Sequence, residues 1–293
     1  MTDRGPAAGL PSGRSARVPG RWPAGAGGAA FLVLPDLGAV VSQTARLLVA
    51  AIASGVEARG RAHVALTGGS TAAPLYRELA GPLRGQVPWA QTHCWWGDER
   101  FVPREHPLSN MFPADRLLLN AGGVPVPAGN IHPIPATTAL NRGLDATWAA
   151  EQYAAELRAS LPLERGQPIF DVVLVGVGPD GHLLSVFPDS PAFEAAAPVV
   201  AVPAPAHVVP HVPRITLNPA VLDVARSVIV VVTGAAKSRA VGEILAGSQG
   251  VKDAGGAGAG GADDRSLPAR RALRPGATWL LDEAAAAAID PAG

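Results

Sequence analysis

Apolar positions along the chain fall into two alternating patterns: short β-branched runs, and longer stretches whose apolar side chains recur three or four residues apart. FLVLPD is a short strand, and LGAVVSQTARLLVAAIASGVEARG has helical spacing with Gly60 as its stop. HVALTGGSTAAPLYRELAG predicts strand, glycine turn and helix. QTHCWWGDERFVP predicts a strand ending in a charged loop, and SNMFPADRLLLN a short helix stopped near Asn120. Residues 121–142, rich in Pro and Gly, predict a loop, and LDATWAAEQYAAELRASL an amphipathic helix. IFDVVLVGVG is the next strand. RITLNPAVLDVARSVIVVVTGAAKSRAVGEILAG then reads as strand, helical turn, strand, glycine turn and helix. LPARRALRP, a strand at ATWLLD and an alanine helix at EAAAAAI follow. No repeat is visible. Strands alternating with helices predict a three-layer α/β fold, a mostly parallel open sheet with helices on both faces.

Two segments depart from this pattern. Residues 1–28 are Gly, Ala, Pro and Arg without periodicity, a composition that buries too little apolar surface to offset ordering entropy, and are expected to be a disordered tail. Residues 247–264, GSQGVKDAGGAGAGGADD, predict a flexible Gly/Ala-rich surface loop within a single domain spanning 29–293.

Composition narrows the function classes. With 48% hydrophobic and 16% charged residues and no apolar run near membrane-spanning length, a soluble protein without a membrane partner is expected. Formal net charge is zero, so an anionic ligand must be held by local positive groups, and nucleic acid is not expected as a partner. The single cysteine, Cys94, sits in the apolar THCWW and reads as a small buried hydrophobe. No disulfide can form within the chain, and no secretory signal is evident, which fits a cytoplasmic location.

The candidate chemistry gathers at glycine turns. In VVLVGVGPDGHLLSVFPD an apolar strand delivers His182 to a loop at a sheet's carboxyl edge, where open α/β sheets place ligands. Asp180 stands two positions before it, and Gly181 lets the backbone turn or approach a ligand closely. A satisfied loop histidine is the plain alternative. In LTGGST the strand ends at Thr67, Gly68 and Gly69 turn the chain, and Ser70 or Thr71 can cap the next helix. Free amide N–H groups and the helix dipole then suit a phosphate, although Gly-Gly-Ser is also a common strand-to-helix connection. The turn is neither a Walker loop nor a dinucleotide fingerprint, so no nucleotide is implied.

In WWGDERFVPREHPLSN three charges follow Gly97. Arg100 suits an anionic oxygen, while Asp98 or Glu99 suits a sugar hydroxyl or a catalytic group; a solvated loop is the alternative. Trp95 and Trp96 lie inside the strand and read as packing residues. Asn110 is placed either to cap the following helix or to bind a ligand. Lys237 opens a helix three residues after Gly234, where the dipole disfavours a cation unless an anion shares the site. Arg214, with Thr216 beyond it, gains weight as a contact from the company of Lys237.

Taken in order, LTGGST, WWGDERFVP with SNMFPADRLLL, GVGPDGHLLSVFPD, PRITLNPAVL and VTGAAKSRAVGEIL resemble the successive motifs of the 6-phosphogluconolactonases, across residues 30–246 with a weaker tail at LPARRALRPGATWLLDEAA. The resemblance implies a fold like that of glucosamine-6-phosphate deaminase and ribose-5-phosphate isomerase. It also implies hydrolysis of 6-phosphoglucono-δ-lactone to 6-phosphogluconate, the second step of the oxidative pentose phosphate pathway, with no cofactor and no metal. On that reading His182 is the general base for water, Asp180 orients the imidazole, and Arg100 or loop amides meet the carbonyl oxygen. The phosphate falls to Gly68, Gly69, Ser70 and Thr71 with Arg214 and Lys237, and Asp98, Asn110 and Thr216 complete the substrate contacts. The expected partner is a small sugar-phosphate lactone, and the expected assembly a monomer or weak homo-oligomer. Where the family often shows Gly-His-Thr-Ala-Ser-Leu-Phe-Pro, this chain has Leu183 and Leu184 after His182, which removes any threonine hydroxyl contact. The alternatives are an amino-sugar-phosphate deaminase or isomerase and a non-catalytic sugar-phosphate sensor of the same fold. Asp-Glu-Arg and Ser-Val-Phe-Pro speak against the first, the retained histidine against the second.

Overall fold

The computed structural model describes residues 27–119, 123–246 and 265–289. Residues 1–26 of the expected tail, the expected loop 247–264 and the expected helix stop at Asn120 lie outside them. Gly27 and Gly28 do not belong to a free tail, because their backbone packs directly on Leu273 and Pro275.

The chain begins with β1 (Ala30–Leu34), α1 (Leu37–Arg59), β2 (Ala62–Leu66), α2 (Ala72–Ala80), β3 (Thr92–Trp96) and β4 (Asp98–Arg100). Next come α3 (Met111–Ala114), β5 (Ile131–His132), α4 (Ala136–Asn141), α5 (Ala146–Ser160) and the hairpin strands β6 (Leu163–Glu164) and β7 (Gln167–Pro168). The remainder is β8 (Val172–Gly176), β9 (Val199–Val202), β10 (Arg214–Leu217), α6 (Val221–Val224), β11 (Val228–Val232), α7 (Ser238–Ala246) and β12 (Ala277–Asp282). Seven strands form one sheet in the order β1-β12-β11-β8-β2-β3-β5, every neighbouring pair parallel.

Strands covered on both faces read as continuous apolar runs, and β8 (VVLVG) and β11 (VIVVV) are such runs, buried along almost their whole length. α1 lies across β2, β8, β11 and β12, burying Val40, Val41, Ala45, Leu48 and Ile52. Asp36 starts it by accepting the Ala39 N–H at 2.9 Å, a cap worth about 1 kcal/mol, and Gly60 ends it. Contrary to the sequence reading, α1 is long and apolar enough to cross a bilayer; here its apolar stripe is spent on the sheet. α5 is capped by Asp145 and meets β3. Its Tyr153 hydroxyl accepts the Trp96 N–H at 2.9 Å and donates to the Trp96 carbonyl at 3.1 Å.

A second sheet, β4-β10-β9, is antiparallel and packs on α5. It corrects the expected charged loop at 98–100: these residues are strand, because β10 offers them a hydrogen-bonding edge that no local pattern announces. The expected loop 121–142 holds β5 and α4. The alanine segment after β12 is a series of turns rather than a helix. Asp282 accepts the Ala285 N–H at 2.7 Å and both of its oxygens accept the Gly234 N–H, so the segment is bound to the sheet edge before a helix can propagate.

Candidate active site

In the large sheet the chain leaves β2 for β3 on one side and β8 for β11 on the other, so a crevice opens between β2 and β8 at their carboxyl ends. The cleft found there is lined by the turns that follow β2 and β8, by Asp98, Arg100 and Asn110, and by Lys237 beyond β11. Of the expected residues, Gly68, Gly69, Ser70, Thr71, Asp98, Arg100, Asn110, His182 and Lys237 share this lining.

His182 is held tightly. Its Nδ1 lies 2.5 Å from Asp180 Oδ1, and its carbonyl accepts the Gly178 N–H at 2.8 Å. A Cβ on Gly178 would stand 2.0 Å from that Nδ1, so only glycine admits the ring. Gly181 turns the chain at φ 80°. Burial alone would raise the Asp180 carboxyl, but hydrogen bonds and charge from His182, with a further bond from His207, outweigh it and hold Asp180 well below the usual carboxylate range. An ionised Asp180 can only accept, which places the His182 proton on Nδ1 and leaves Nε2 as the basic nitrogen.

Across the cleft the positive groups converge. The Lys237 ammonium donates to the Val177 carbonyl, and burial lowers its pKa against the opposing pull of Asp180. Arg100 Nη1 donates to the Leu108 carbonyl at 2.8 Å, while its buried Nε has no partner among the described residues. Asn110 donates through Nδ2 to Asp98, and its Oδ1, against the Gly68 backbone, is likewise without a partner among the described residues. Asp98 also accepts from Ser185 Oγ at 2.6 Å, which ties β4 to the loop that carries His182.

Other expected residues do not reach the cleft. Arg214 is paired with Arg100 across the small sheet and is 3% exposed; burial, then the charge of Arg100, brings its guanidinium down to about 10. Thr216 lies deeper, its hydroxyl accepting the Ser185 N–H at 3.2 Å. Glu99, one of the two candidates for a sugar hydroxyl, turns inward and accepts from Ser109, Asn110, Met111 and Arg100; burial nevertheless pushes its carboxyl up to about 7. Neither Ser70 nor Thr71 caps α2. Trp95, Trp96 and Cys94 are packing residues, and burial pushes the Cys94 thiol up to about 12. One participant escaped sequence reasoning. His207 Nε2 sits 3.0 Å from the second oxygen of Asp180, on an aperiodic Pro-rich stretch that gave no signal. Leu184, at φ 55°, lines the cleft against Gly97. Among the described residues no group of three or more His, Cys, Asp or Glu side chains is arranged to hold a metal.

Comparison with known proteins bears on the family and the fold. Residues 35–277 match the model of the family described as glucosamine-6-phosphate isomerases/6-phosphogluconolactonase. A 6-phosphogluconolactonase of Mycobacterium bovis is 38% identical over 259 residues, covering 88% of this chain and 97% of the relative. One from Synechocystis is 36% identical over 242 residues, covering 82% and 90%. Among solved structures, 6-phosphogluconolactonase from Trypanosoma brucei superposes with a TM-score of 0.73 at 28% identity, covering 89% of this chain and 99% of that one. A monomeric glucosamine-6-phosphate deaminase, at 16% identity and a TM-score of 0.64 over 88% and 99% of the two chains, shares the fold. The chain belongs to the glucosamine-6-phosphate isomerase/6-phosphogluconolactonase family.

Proposed function

We propose that this chain hydrolyses 6-phosphoglucono-δ-lactone to 6-phosphogluconate in the oxidative pentose phosphate pathway, with His182 as general base. The observation that carries the reading is that His182, its Nδ1 2.5 Å from Asp180 behind it, lines one cleft with Arg100, Lys237 and the 68–71 turn. A δ-lactone is an ester already prone to hydrolysis, so it requires only a base for water, charge opposite the carbonyl oxygen, and a hold on the phosphate. Nε2 of His182 takes a proton from water as the oxygen attacks C1, and Asp180 stabilises the imidazolium that forms. Arg100 faces the negative charge that develops on the carbonyl oxygen. When the C1–O5 bond breaks, the imidazolium returns the proton to O5, giving the open acid and restoring the base. The 68–71 turn and Lys237 bind the phosphate. Arg214 acts from behind, fixing Arg100 by strand pairing rather than by contact with substrate. A buried, unreactive Cys94 suits a reducing cytoplasm.

The test uses freshly prepared lactone, with initial rates corrected for spontaneous opening. His182→Ala is expected to lose about 10² to 10⁴ in kcat. Activity within about threefold of wild type would remove His182 as the base. Glucosamine 6-phosphate is expected to release no ammonia.

A further inference from the structure

At the opposite edge of the large sheet, below the amino ends of β2 and β8, a second cavity of about 510 Å³ is lined by Arg59, Arg61, Arg226, His63 and Asp171. β2 is five residues long, which at about 3.3 Å per residue places this cavity roughly 16 Å from the cleft at the carboxyl edge. We propose that it is a second binding site, for a phosphate-bearing small molecule, separate from the catalytic cleft.

The charge balance favours a dianion. Arg59 places Nε at 3.0 Å and Nη2 at 2.5 Å from Asp171 Oδ1, and Arg226 Nε approaches the same oxygen at 3.5 Å. The other Asp171 oxygen accepts the His63 backbone N–H at 2.7 Å, so this single carboxylate is fully engaged. Three guanidiniums against one carboxylate leave an excess of two positive charges, which matches a phosphate monoester near neutral pH. A planar guanidinium fork can donate two parallel N–H bonds to two oxygens of one phosphate.

His63 supplies an independent indication. It is 5% exposed, and its Nδ1 accepts the Trp95 indole N–H at 3.1 Å. The neutral ring therefore carries its proton on Nε2, a buried donor with no partner among the described residues. Burial first, then the neighbouring His93, Arg61 and His132, hold the ring neutral by lowering its pKa to about 3. An anion entering the cavity beside this ring changes the field at the imidazole and at the Trp95 indole N–H bonded to it. Leu161 and Ile169 offer an apolar wall beside the charges, as small-molecule sites commonly do.

The probe is inorganic phosphate, titrated at pH 7.5 and constant ionic strength set with chloride, while the Trp95 indole N–H and His63 imidazole signals are followed by NMR. Saturable shifts at both are expected in the wild-type chain. Arg61→Ala, at an exposed side chain, is expected to weaken the response about tenfold, and Arg61→Ala/Arg226→Ala to abolish it below about 50 mM phosphate. His182 signals report phosphate in the catalytic cleft separately and are expected to respond alike in all three proteins, which also shows that the variants are folded. No saturable shift at Trp95 and His63, or an equal shift in wild type and double variant, would overturn the site whatever happens at His182.

Discussion

Asp180 holds two imidazoles at once, one oxygen 2.5 Å from Nδ1 of His182 and the other 3.0 Å from Nε2 of His207. An amide in its place keeps the shape but loses the charge, and it can present its N–H₂ to a nitrogen that needs an acceptor. Asp180→Asn is therefore expected to lower kcat by on the order of 10²-fold with little change in KM, in the same lactone assay, because the tautomer and not the binding surface is disturbed. His207→Ala should leave kcat within about threefold, since His207 is more than half exposed and its bond to Asp180 competes with water. A kcat loss for His207→Ala as large as for Asp180→Asn would instead place both histidines in one proton path. The Asp180–His182 pair was only partly legible: the motif put both residues in one loop, but a two-residue step across Gly181 does not by itself bring the carboxylate to the ring, and Asp98 and Glu99 were equally open as partners. His207 was not, because it arrives from 27 residues away on a stretch without period. The same limit applies to Glu99: adjacency to Asp98 and Arg100 suggested a shared surface role, whereas alternation along β4 sends it inward.

At the scale of elements, β8 and β11 were readable because burial on both faces demands uninterrupted apolar runs. β4 and the turns after β12 were not, since partners distant in sequence decide them. One consequence of strand register is measurable. His63 on β2 is the Cα partner of His93 on β3, their rings stack at 4.7 Å, and His93 meets His132 of β5 at 3.0 Å, with Glu156 closing the row at 2.6 Å. Burial lowers the pKa of both His63 and His93, with neighbouring histidines and Arg61 adding to the effect. A histidine whose native pKa lies below its unfolded value of about 6.5 costs nothing above that pH. It costs stability as pH falls, because the unfolded chain takes up a proton that the native one refuses. For His63, native pKa about 3, the loss amounts to at most about 2 kcal/mol between pH 6.5 and 5. Urea unfolding in phosphate-free buffer should show that slope in wild type. His63→Asn, which keeps an acceptor for Trp95, should flatten it; equal slopes in the two proteins would mean that the row is open to water in the native state.

For the whole molecule, zero formal charge and a cleft at the centre of the sheet have one joint meaning: recognition of an anion here is a matter of where cations are placed, not of how many there are. The fold achieves that placement by bringing segments more than 100 residues apart to one edge: four of the five ordered motifs contribute lining residues, while PRITLNPAVL stays behind the cleft. It also leaves little reason to self-associate. Among the described residues the exposed large apolar side chains are Leu37, Leu144, Leu163 and Val209, widely separated in the chain and none part of the core. A stable dimer commonly buries about 800 Å² per partner around an apolar centre. We therefore expect a monomer of 29.7 kDa by light scattering after size exclusion at micromolar concentration, with specific activity independent of dilution. Activity that falls on dilution together with a scattering mass near twice that value would show that a second copy completes the site.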